Sequence, residues 1–64
     1  MDVSDDDLAF ATMLEMSGLK YAYESIVSGA VRVIASRRGW TVSDEQVARV
    51  TQRVINTLKL MGRS

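Results

Sequence analysis

The stretch SDEQVARVTQRVINTLKLM, Ser43 to Met61, decides how this 64-residue chain is read. Val47, Val50, Val54, Leu58 and Met61 recur at steps of three and four residues, which lines them along one face of an α-helix. Ile55 and Ala48 widen one edge of that stripe. Glu45, Arg49, Gln52, Arg53, Asn56 and Arg63 occupy the opposite face with Lys59 beside them, and Leu60 among them is expected in solvent. Ser43 starts the helix with a capping signature, because Gln46 follows three residues later. Asp44 and Glu45 suit the positive end of the helix dipole.

The same logic extends backwards. Ser4 precedes Asp5, Asp6 and Asp7 as a second helix start. There is no Pro, and Gly18, Gly39 and Gly62 fall where helices would end. The result is an all-α, compact three-helix unit with helices over about residues 5–17, 19–38 and 44–61, forming one domain over residues 1–64. Val3–Thr12 (VSDDDLAFAT) and Val42–Thr51 (VSDEQVARVT) echo each other, as two segments obeying the same capping rules would.

Helix two carries a broad apolar arc of Leu19, Ala22, Tyr23, Ile26, Val27, Ala30, Val33 and Ile34, extended by Val31. Such an arc predicts a central helix touching two neighbours. Lys20 and Glu24 form an i,i+4 pair on its solvated side. Ser25, Gly29, Arg32 and Ser36 make a second, mostly small strip, read as a solvated face that could admit another helix closely. Tyr21 leaves the apolar arc, toward a rim or interface.

Helix one is apolar nearly all round, a pattern normally buried on most sides. Two short helices cannot cover it, and a chain this size buries only about 60% of its unfolded surface. A second copy is the simplest remedy, so a homodimer or higher oligomer is expected, with Leu8, Phe10, Met13, Leu14 and Met16 as the self-association or partner surface. A different protein is the other candidate, met by an adaptable Met- and Phe-rich face.

Charge is unevenly divided. Residues 1–31 hold six acids (Asp2, Asp5, Asp6, Asp7, Glu15, Glu24) against Lys20, and residues 32–64 hold seven bases against Asp44 and Glu45. The two halves therefore cancel to a formal net charge of zero. Opposite ends of two copies could orient one another. The bases Arg32, Arg37, Arg38, Arg49, Arg53, Lys59 and Arg63 also support an alternative, a dimeric nucleic-acid-binding regulator. Helix two, Gly39 and helix three resemble a helix-turn-helix, but Asp44 and Glu45 would face phosphates where a recognition helix enters the groove. The stretch AVRVIASRRGWTVSDEQV, Ala30 to Val47, is similar to the join between the central and last helices of archaeal histones. That resemblance implies a histone-like dimer.

Several chemistries are excluded by what the chain lacks. Without His or Cys it has neither the commonest general base nor a thiol nucleophile, and a metal site would need carboxylates alone. Adjacent acids on a helix point apart, so Asp5, Asp6 and Asp7 read as capping and dipole complements. No glycine-rich phosphate loop exists. The chain is expected to be non-enzymatic, without cofactor, metal or small-molecule substrate. Its most apolar run, Ile26 to Ala35, is interrupted by Ser28, Gly29 and Arg32 and is far short of the roughly 20 residues that span a bilayer. An acidic start with no signal peptide and no Cys fits a whole small cytoplasmic gene product. Trp40, between helices two and three, reads as a plug at the end of the core, with an exposed partner hot spot as the functional alternative.

Overall fold

The computed structural model describes residues 1–16 and 23–62. Expectations for Ser17, Gly18, Leu19, Lys20, Tyr21, Ala22 and Arg63 lie outside those residues. Three helices are present: α1 (Asp5–Glu15), α2 (Glu24–Arg37) and α3 (Asp44–Gly62), each packed on the other two. No helix among the described residues is long and apolar enough to cross a membrane.

The helix ends follow from local chemistry. Ser4 is extended, and its Oγ accepts from the Asp7 backbone N–H at 3.1 Å. The Ser43 Oγ accepts from the Gln46 N–H at 3.1 Å in the same way. The Gln46 side chain does not close the box. It donates instead to the Val3 carbonyl at 2.7 Å and to Asp5 Oδ1 at 3.0 Å, tying α3 to the approach to α1. α2 starts later than its pattern predicts, because Tyr23 has extended dihedrals and caps Glu24 without a side-chain bond. It ends at Arg37 with Arg38 as its cap, and Gly39 follows with a φ of 69°, the left-handed conformation glycine tolerates. The Gly39 N–H donates to the Ser36 carbonyl and the Trp40 N–H to the Ala35 carbonyl at 2.8 Å, the paired bonds of a Schellman stop. Gly62, expected to end α3, is still helical.

The core draws on all three helices: Leu8, Ala9, Ala11 and Met16; Val27, Val31, Ile34 and Ala35; Val47, Val50, Val54 and Ile55. Two hydroxyls join it. Thr12 returns its proton to the Leu8 carbonyl at 2.8 Å, whereas Thr51 Oγ1 is buried with no hydrogen-bond partner. Val3, Val42, Leu58 and Trp40 close the margins. The stripe on α3 is buried through Val54 and half-buried at Leu58, while Met61 at its end and Ala48 on its edge are exposed, as is Leu60.

The two echoing segments lie side by side. Asp2 and Thr41 form a parallel bridge. At the same sequence offset, Leu8 matches Val47, Ala11 matches Val50, Thr12 matches Thr51 and Met16 matches Ile55, and all eight are buried. Contacts climb both helices together, from Gln46 with Val3, through Arg49 with Asp5, to Arg53 with Asp6. α1 and α3 thus run in the same direction, while α2 pairs back on α3 through Arg32 and Asp44.

Candidate partner-binding surface

α1 divides its apolar residues between two environments. Leu8, Ala9, Ala11 and Met16 enter the core, and Met13 is half-buried at its margin. Leu8 and Met16, expected on the contact surface, are therefore corrected to core residues: the positions one and two helical turns apart face α2 and α3 together. Phe10 and Leu14 turn the other way and stand 64% and 59% exposed. Phe10 and Met13 also border a shallow cleft of about 490 Å³ between α1 and α3, with Asp7 and Thr57 on its rim.

α2 departs further from its reading. Its buried face is Val27, Val31, Ile34 and Ala35, and several of the other described residues of the broad arc are not covered. Ile26 is 49% and Val33 50% exposed, Tyr23 is exposed, and Ala30 is half-buried against the core. The arc is wider than two neighbours can hide, because one of them, α1, is only eleven residues long. Tyr23, Ile26 and Val33 are the described residues of this arc that the sequence reading placed inward and the fold leaves at the surface. The available signal was the excess width of that arc.

The arginines among the described residues are engaged within the chain. Arg49 Nε donates to Asp5 Oδ2 at 2.9 Å, Arg53 pairs with Asp6, and Arg37 reaches Glu15 at 3.0 Å. Arg32 bonds Asp44 at 3.0 Å. Three of these four pairs join an acid of the first half to a base of the second. The charge division is thus spent largely on closing α1 onto α2 and α3. The Arg38 guanidinium lies 5.2 Å from the centre of the half-buried Trp40 ring, a cation–π contact that packs the connection. Trp40 itself lies against the core, in the plugging position. Lys59 is exposed near the end of α3.

Asp5 titrates away from its ordinary value. Hydrogen bonds from Arg49 and then Gln46 hold its carboxyl below the usual aspartate value. The three consecutive acids diverge as helical geometry requires: Asp5 to Arg49, Asp6 to Arg53, and Asp7 to the cleft rim. Among the described residues no three acidic side chains gather in a way that could hold a metal ion. No protein-family model, no curated protein and no solved structure matches this chain.

Proposed function

We propose that the protein is a non-enzymatic helical interaction module that acts by protein contact and associates with itself. The observation that carries this is the division of α1: one face is buried to completion, while Phe10 and Leu14 stand mostly in solvent on the other. Ile26 and Val33 add further uncovered apolar surface on α2. Exposed apolar groups gathered on a small chain are typical of interaction sites.

The competing nucleic-acid reading draws less support from the arrangement. Phosphates would have to displace the carboxylates of Asp5, Asp6, Glu15 and Asp44 from four of its arginines. Charge reversal at Arg49 and Arg53 is accordingly a poor test of DNA binding, since it sets acid against acid between α1 and α3.

The direct test is solution mass by sedimentation equilibrium. Wild-type protein is expected to exceed the 7.1 kDa chain mass in a concentration-dependent way. Phe10→Asp should shift it toward the single chain with helicity unchanged. A wild-type protein that stays at the single-chain mass at every concentration, and captures no partner, would overturn the proposal.

A further inference from the structure

The uncovered face of α2 has a self-complementary layout. Ile26, Gly29, Ala30 and Val33 follow the i, i+3, i+4, i+7 spacing of a helix-packing stripe. Ile26 and Val33 are half-exposed and Gly29 between them is open. From Ser25 to Val31 the helix carries no charge at all, although Ser25, Ile26 and Gly29 face solvent. Solvated helix faces are ordinarily charged, whereas the centres of interfaces are depleted of charge.

Gly29 sharpens the case. It has helical dihedrals, and a Cβ built there would meet nothing within 4 Å. The chain's own packing therefore does not require glycine, which is unfavourable relative to alanine inside a helix. A close approach from outside would require it.

Resting on the self-association proposed above, we infer that α2 crosses α2 of a second copy antiparallel, about a two-fold axis passing between Gly29 and Ala30. That axis sets Ile26 of each copy against Val33 of the other and brings the two helix backbones together at Gly29. The contact is isologous and closes on itself, so it gives a dimer rather than a filament. A standard interface takes roughly 800 Å² from each partner, more than two half-exposed aliphatic residues with Gly29 and Ala30 supply, so the surface flanking the stripe has to join it. The exposed Phe10 and Leu14 of α1, which Glu15 and Arg37 link to α2, supply what the stripe alone does not, so Phe10→Asp weakens this dimer as well.

Two substitutions test the geometry. Gly29→Leu fits the single chain and improves helix propensity, but it overfills the crossing. It should raise the dimer dissociation constant about tenfold to a hundredfold while thermal stability of the isolated chain holds or rises. Because the chain has no Cys, Gly29→Cys gives a single thiol. Under mild oxidation it should form a covalent dimer that keeps its helicity, as the axis brings the paired Cα atoms near the roughly 4.4–6.8 Å a disulfide spans. A Gly29→Leu protein as dimeric as wild type overturns the crossing. So does efficient cross-linking of Phe10→Cys with none at Gly29→Cys, which would move the interface to α1 and leave self-association standing. A wild-type chain of single mass at all concentrations removes both.

Discussion

Asp5 and Arg49 join the first turn of α1 to α3 across 44 positions of sequence, with the guanidinium reaching both carboxylate oxygens at 2.9 and 3.4 Å. Gln46 donates to the same carboxylate. One side chain thus meets two successive turns of α3 and fixes how far along it α1 sits.

This relationship gives stability a defined pH dependence. The Asp5 carboxyl titrates below its unfolded value of about 3.9. Its contribution is complete above that pH and is lost as pH falls through the lower folded value. Asp5→Asn should lower the urea midpoint at pH 7, and the gap from wild type should narrow progressively as pH falls below about 3.9. A gap that persists in acid would mean that the charge of Asp5 is not what matters.

The two environments on α1 separate in mutational cost. Leu8 is fully buried. Leu8→Ala should cost about 2–5 kcal/mol, a large share of the roughly 3–10 kcal/mol expected for a domain this short. Phe10→Ala, two positions away, should change single-chain stability by no more than about 0.5 kcal/mol. Urea unfolding at concentrations below any self-association checks both.

Thr51 offers a stabilising change. Its buried hydroxyl oxygen has no hydrogen-bond partner. Thr51→Val keeps the shape and removes the unmet polar group, for an expected gain of about 1 kcal/mol. Thr12→Val should not match it, because that hydroxyl is bonded to Leu8. Thermal unfolding of the two variants side by side makes the comparison.

The turn after α2 depends on backbone conformation more than on space. A Cβ at Gly39 would meet nothing within 4 Å, yet φ is 69°. Gly39→Ala should therefore cost about 1–2 kcal/mol through left-handed strain alone. An unchanged melting temperature would show that the Schellman stop relaxes without penalty.

Much of the fold was legible along the chain because its determinants are local. Ser4 and Ser43 bond amides three residues ahead, Gly39 takes a dihedral few other residues accept, and Val47, Val50 and Val54 repeat with the helix. These features alone determined three helices, two of their starts, one stop and the inner face of α3. Which apolar residues of α1 and α2 stay in solvent was decided only by tertiary structure. Phe10 and Leu8, or Ile26 and Val27, are equally apolar in sequence, and their fates depend on where a neighbouring axis passes and how long it is. The charge division shows the same limit. Composition recorded an acidic half and a basic half, but only the parallel placement of α1 beside α3 brought Asp5 to Arg49 and Asp6 to Arg53, because ion pairs form between neighbours in space.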